Sequence, residues 1–311
     1  MSAAVRVLGI GFGLLLLARG VYADEAEDRA MAYVTKLGGR ATALERGGPI
    51  WRVDLHSTEV TDEGLKQLAG FRHLESLWLR DTRVTDAGLK NLAPLKELTD
   101  LNLSSTRVTD AGLRHLAAFK KLQFLDLPAT KVTGAGLKEL APLKHLVNLN
   151  LAKTSLNNEG LEAVGKLTGL KVLNLHFTRI TDSGLKHLAG LKQLRKLDVG
   201  ANDRITDKGM KAVAALTGLR HLGLEGTRVR DAGLGELAAL RNLEILNLES
   251  VGGVTDAGLQ KLAVLSRLKA INAKGTGVTA AGVARLRKSL PGCRVALRDA
   301  YEDDRPERRR R

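Results

Sequence analysis

A leucine triplet that returns at an almost constant interval constrains this chain more than any other feature. Leu-x-Leu, or a close variant, begins at Val53, Leu77, Leu101, Leu125, Leu149, Leu173, Leu197, Leu222, Leu246, Ile271 and Val295. Two of the steps are longer than the rest by a single residue. Each extra residue falls just after the triplet, in Ala201-Asn202-Asp203 and in Ser250-Val251-Gly252-Gly253, where a loop absorbs it without shifting the core. Between the triplets runs a Thr-Asp-x-Gly-Leu theme whose ten glycines extend from Gly64 to Gly282. A fixed period of this length marks a solenoid, in which each unit buries its apolar face only against its neighbours.

The stretch from Leu101 to Phe124 shows the physics of one unit. Leu101 and Leu103 flank polar Asn102, the alternation of a short strand buried on one face. Val108 continues the core. Thr109 and Asp110 have the chemistry of helix caps, and Leu113, Leu116, Phe119 and Leu122 then recur at every third position, which predicts one apolar stripe on a helix of about three turns.

The full pattern, Leu-x-Leu-x-x-Thr-x-Val-Thr-Asp-x-Gly-Leu-x-x-Leu-Ala-x-Leu-x-x-Leu, resembles the leucine-rich repeats, in the Thr-Asp-x-Gly-Leu form of secreted bacterial repeat proteins. It is also similar, with Cys for the Thr, to the repeats of eukaryotic F-box adaptors. The likeness covers residues 53 to 297. It implies an α/β solenoid that is curved, with a parallel sheet on the concave side and helices on the convex side. For function it implies a binding surface and leaves the partner open. Local departures are Gly134 and Asn158 at the Asp position, Arg230 at the capping Thr, and Val251 in the other Thr column.

Four segments are expected. Residues 1–23 read as a secretory signal peptide: Arg6, an apolar run from Val7 to Ala18, and Val21-Tyr22-Ala23 before a cleavage that leaves Asp24 first. The run is short of the ~20 residues of a membrane-spanning helix, so cleavage is preferred to a retained anchor. Residues 24–52 read as an N-terminal capping segment, with a helix ending at Gly38-Gly39 and strands on either side of Gly47-Gly48-Pro49. Residues 53–298 form the solenoid and its C-terminal cap, and 299–311, with five acids and five arginines, read as a disordered charged tail. The expected location is exported, periplasmic or extracellular.

The net charge is +15, and +13 without the signal. Lys66, Lys90, Arg114, Lys138, Lys186 and Lys211 lie on the outer helices, and Arg83, Arg107, Lys131, Arg179, Arg204 and Arg228 form a second column. Five of this second column stand three positions before an acid, as Arg83 does before Asp86 and Arg179 before Asp182, which predicts a row of local ion pairs. The alternative is a basic track for a polyanion or glycan, such as an anionic envelope surface. Nucleic acid is not expected, since export argues against it and no aromatics alternate with the cations.

The concave column between the leucines is Asp54, Trp78, Asn102, Asp126, Asn150, Asn174, Asp198, Gly223, Asn247 and Asn272. Short amides and carboxylates here are expected to bridge neighbouring strands. Trp78 is the exception, and with Arg52, His56, Arg80 and Phe124 around it this end of the sheet has the Trp and Arg content of an interface hot spot. The expected partner is a protein or peptide. Catalysis is not expected, because His56, His176 and His221 have no activated nucleophile, and Ser76 and Ser104 lie in no activating motif. No metal or other cofactor is expected either. Asp54, Asp126 and Asp198 fall three strands apart, about 14 Å, too far to share an ion. The single Cys293 excludes an intrachain disulfide framework and reads as a small buried hydrophobe. Asn102-Leu103-Ser104 matches a glycosylation acceptor but falls on an expected strand. An F-box-like ubiquitin-ligase adaptor would need a helical module before the repeats, and the stretch from 24 to 52 is too short to hold one.

Overall fold

The computed structural model describes residues 25–45 and 47–297; the signal peptide and charged tail expected from sequence lie outside these residues. Each leucine triplet forms one short strand, because a Leu-x-Leu segment can bury two side chains on one face only when extended. The strands are β1 (Arg40–Ala43), β2 (Ile50–Asp54), β3 (Ser76–Trp78), β4 (Asp100–Asn102), β5 (Phe124–Asp126) and β6 (Asn148–Asn150). They continue as β7 (Val172–Asn174), β8 (Lys196–Asp198), β9 (His221–Gly223), β10 (Ile245–Asn247), β11 (Ala270–Asn272) and β12 (Arg294–Ala296). Their order in the single sheet is the order of the chain; β1 is antiparallel to β2 and every later pair is parallel. Leu197 pairs with Leu222 and Leu246 with Ile271, so both of the longer steps leave the register intact.

The buried leucines, valines and isoleucines form one continuous core from Ala30 to Cys293. The first strand is covered by helix α1 (Glu25–Lys36), whose Ala30 and Val34 are buried. Glu27 accepts a hydrogen bond from the Ile50 backbone (3.0 Å), and a side chain at Gly70 would collide with the Ala26 carbonyl, so helix and first repeat are in close contact. Cys293 is buried, and burial raises its thiol pKa.

The helix of about three turns expected in each repeat is reached only at Ala280–Ser289, among the described residues. Leu113–Leu116 is a single α-turn, and elsewhere short α-turns pass into 3-10 turns, as in Asp86–Leu89 followed by Lys90–Leu92. The longer helices are Asn158–Gly165, Asp207–Ala214 and Ala280–Ser289. All four apolar residues of the stripe are nonetheless fully buried. Spacing by three fits a 3-10 turn as well as an α-helix, so the stripe is buried in either form.

The motif aspartate does not cap its own helix. Asp62 accepts from both the backbone N–H and the hydroxyl of Thr85 in the next repeat (2.8 and 2.5 Å), and Asp86 does the same for Thr109. The bridge recurs from Asp110 to Thr133, Asp182 to Thr206, Asp231 to Thr255 and Asp256 to Thr279. The threonine thus bound caps its own turn in several repeats, as Thr85 does for Ala87 and Thr255 for Ala257. The motif glycine follows from the same contact, since a Cβ at Gly88 would strike Asp62 Oδ1 and one at Gly112 would strike Asp86 Oδ1.

The other threonine column is buried. Thr82, Thr106, Thr130, Thr154 and Thr227 each donate a hydroxyl to the carbonyl three positions back, satisfying an acceptor that the turn removes from water. Asn202 replaces the threonine in the first of the two longer repeats. It is 2% exposed and donates to the carbonyls of Leu175, Val199 and Gly200.

Candidate functional site

Three side-chain positions per strand reach the concave side. In the first, Arg52, Ser76, Asp100 and Phe124 are neighbours; in the second, Asp54, Trp78, Asn102 and Asp126. The third begins with His56 and Arg80 just past the strand ends. Arg52 lies flat on the indole of Trp78, its guanidinium carbon 3.6 Å from the ring centroid. On the other side Trp78 Nε1 donates to Asp100 Oδ2 (3.0 Å), and the buried Ser76 hydroxyl donates to the same oxygen (2.8 Å). The half-buried indole is therefore held on both sides.

Of the residues expected around Trp78, the structure brings Arg52 into contact. His56 is exposed and turned to Asp54, which its backbone N–H and ring Nδ1 both approach (3.0 and 2.9 Å). Burial raises the Asp54 carboxyl, but the bonds from His56 and the charges of His56 and Arg52 outweigh it and hold the pKa below the ordinary aspartate value. Arg80 is exposed at the end of β3. Phe124 is 43% exposed two strands on, in the first position rather than beside the ring. Asp100 and Ser76 belong to the site without having been expected there. The signal was present: Asp100 is the one acid at the residue before the leucine triplet, next in register to the position of the tryptophan's own strand.

The asparagine column works differently from expectation. Asn102, Asn150, Asn174, Asp198, Asn247 and Asn272 each accept from the backbone N–H two positions ahead, closing a local turn at the strand end. Cross-strand bonds are fewer, as from Asn102 to Asp126 (3.4 Å) and from Asn272 to Glu249 (2.8 Å). Burial raises the Asp126 carboxyl pKa; a hydrogen bond from Asn150 opposes the shift, and the Asp100 charge adds to it.

The expected ion pairs also form differently. Asp86 and Asp182 are taken up by the next repeat, and Arg83 reaches back to Glu59 (3.5 Å). Arg228 pairs with Asp203 (3.3 Å), while Arg107, Lys131, Arg179 and Arg204 are exposed with no ion pair among the described residues. Ser76 donates its hydroxyl to the Asp100 carboxylate, and His176 lies 3.8 Å from Asp198. Among the described residues no three His, Cys, Asp or Glu side chains cluster as a metal site, and no helix is long and apolar enough to cross a membrane.

Comparison with known proteins agrees with this architecture. The model of a leucine-rich repeat region matches residues 109–290, and a single leucine-rich repeat model matches 72–93 and 97–117. No curated protein sequence matches significantly. Among solved structures, internalin F of Listeria monocytogenes is 19% identical over 86% of this chain and 94% of its own, with a TM-score of 0.42. Internalin C2 of the same organism is 25% identical over 82% and 93%, with a TM-score of 0.48. The ectodomain of the Arabidopsis receptor kinase HAESA, solved with an extended IDA peptide hormone, is 16% identical over 81% of this chain and 46% of its own. Its TM-score of 0.60 reflects the shared fold.

Proposed function

The chain belongs to the leucine-rich repeat family, and from that premise we propose that it is a non-enzymatic scaffold that binds a protein or peptide on the N-terminal half of its concave face. The contact residues are Arg52, His56, Trp78, Arg80 and Phe124, with Asp100 and Ser76 positioning the indole. One observation carries this reading. A large aromatic stands only half-buried in a column otherwise made of Asn, Asp and Gly, braced by Arg52 and Asp100. A repeat of this kind folds without a tryptophan there, as the neighbouring rungs do.

The apolar run and the Val-Tyr-Ala sequence before Asp24 support export to the periplasm or exterior. Mass spectrometry of the native protein should find a mature end near Asp24; an intact Met1 or Ser2 end in the cytoplasm overturns this part.

The binding site is tested with Trp78→Ala and the partner captured by the wild-type protein. Loss of the anchor should weaken binding by about 2 kcal/mol or more, with smaller losses for Arg52→Ala and Phe124→Ala. The melting temperature should change little. Unchanged affinity together with a lowered melting temperature would make the ring a cover for the sheet and refute the site.

A further inference from the structure

We propose that the solenoid carries a second binding site, on the edge formed by the C-terminal ends of the strands around Phe177, Arg179 and Arg204, that takes a short acidic peptide segment with an apolar side chain next to its carboxylates. It is independent of the Trp78 site: the strand before Phe177 is β7, four strands from β3, or about 19 Å.

Every rung from Ser57 to Gly275 leaves its strand through a left-handed residue, and the occupants are Ser, Asp, Ala, Lys or Gly at every rung except one. There Phe177 adopts φ 53° and is 62% exposed. A bulky side chain is strained in this conformation, and an exposed ring gains nothing from burial, so the fold gives no reason for it. On the preceding rung the same position holds Lys153, exposed and without an ion pair among the described residues.

Directly after Phe177 a cavity of about 410 Å³ opens between two rungs, lined by Thr178, Arg179, Ile180, Asn202, Asp203 and Arg204. It lies where the first longer repeat inserts its extra residue. The neutral polar groups of its wall are already engaged. Asn202 Oδ1 accepts from the Thr178 backbone and hydroxyl, and its amide donates to three carbonyls. Asp203 is bound by Arg228. The groups left for a ligand are the guanidiniums of Arg179 and Arg204, whose forked donors suit a carboxylate.

A long, regular polyanion fits this edge poorly. Ser155 and Gly253 interrupt the basic column, and Arg83 and Arg228 already hold acids. Such a polymer would also leave Phe177 unused. A segment that mixes acid and apolar residues uses both the cationic pair and the ring, and the net charge of +15 favours an acidic partner.

The test uses the full chain and three probes: an octapeptide alternating Glu and Leu, an all-Glu octapeptide, and heparin as a sulfated polymer. The Glu-Leu peptide should bind tightest. Arg179→Gln with Arg204→Gln should weaken it about tenfold or more, the effect expected when an interface anchor is lost. Phe177→Gly should bring its affinity down to that of the all-Glu peptide while leaving the melting temperature unlowered, because glycine suits the left-handed position. Trp78→Ala should leave the peptide's binding unchanged. Equal affinity in wild type and both edge variants overturns the proposal, as does loss of binding in Trp78→Ala, which would place the peptide on the concave face. Heparin binding tighter than the peptide and insensitive to Phe177 overturns it in favour of an extended polyanion track.

Discussion

Asp110 stands between two rungs, and its carboxylate takes all of its hydrogen bonds from the following one. Burial alone would raise its carboxyl, but the hydroxyl of Thr133 and the N–H groups of Gly136, Thr133 and Gly134 donate to it and hold its pKa below the ordinary value. A carboxylate depressed in this way contributes stability above the unfolded value near 3.9, and loses it as the pH falls through its own lower value. Asp256 follows the same rule through the backbone and hydroxyl of Thr279. Thermal melts should therefore show stability falling below about pH 4, and Asp110→Asn should flatten part of that fall. Asp110→Ala should lose about 1–3 kcal/mol at neutral pH, because it strands the N–H groups of Thr133, Gly134 and Gly136, whereas Asn, whose single oxygen leaves the two glycine N–H groups unpaired, can still serve the Thr133 N–H and hydroxyl. Asn158 already does so, accepting from the Thr181 N–H (2.9 Å) and donating to its hydroxyl (3.0 Å). The residues of this bridge are legible in the sequence, but its connectivity is not. A cap within one helix and a clamp onto the next rung call for the same Thr and Asp, and only the folded chain separates a partner in the same turn from one in the neighbouring repeat.

At the scale of the element, one junction differs from the rest. Gly134 occupies the aspartate position with φ 121°, so no carboxylate reaches the following rung, and the Asn157 N–H donates instead to the Thr133 carbonyl (3.2 Å). The two glycines pack together there; a Cβ on Gly134 would lie 2.7 Å from Gly160 Cα. Hydrogen exchange should be faster at the Asn157 amide than at the matching amides of Thr109 and Thr255, which are held by aspartate. Gly134→Asp should not repair the junction, and should destabilise it by about 1–3 kcal/mol through crowding. Equal protection at all three amides, or stabilisation by the aspartate, would contradict this account. The missing Asp is visible in the sequence as a break in the pattern. That the space had closed around two glycines is not, nor was the shortness of the convex turns, because an apolar residue every third position satisfies both kinds of helix.

For the whole molecule the period fixes nearly everything about the parallel part of the sheet: the number, order and register of β2 to β12 follow from where the triplets fall, and only antiparallel β1 stands outside it. The candidate site was only half legible. Trp78 stands out against its column, whereas its fixation by Asp100 and Ser76 depends on which strands touch. Because each rung contacts only its neighbours, damage should stay local. Leu149→Asp, which puts an unpaired charge into a fully buried position, should loosen exchange in its own and adjacent rungs first, by several kcal/mol. Uniform loosening from end to end would contradict a nearest-neighbour architecture.

The backbone bonds between strands have a direction as well as a strength. Leu103 N to Asp126 O, Leu127 N to Asn150 O and Leu151 N to Asn174 O point along the solenoid axis, across the strands rather than parallel to them. Tension applied between the two ends therefore falls on a few bonds at a time, peeling rungs apart in turn, instead of shearing a whole sheet at once. The aspartate bridges act as cross-stitches at most of the seams. The seam at Gly134 lacks one, which makes it the place where a pulled molecule parts first.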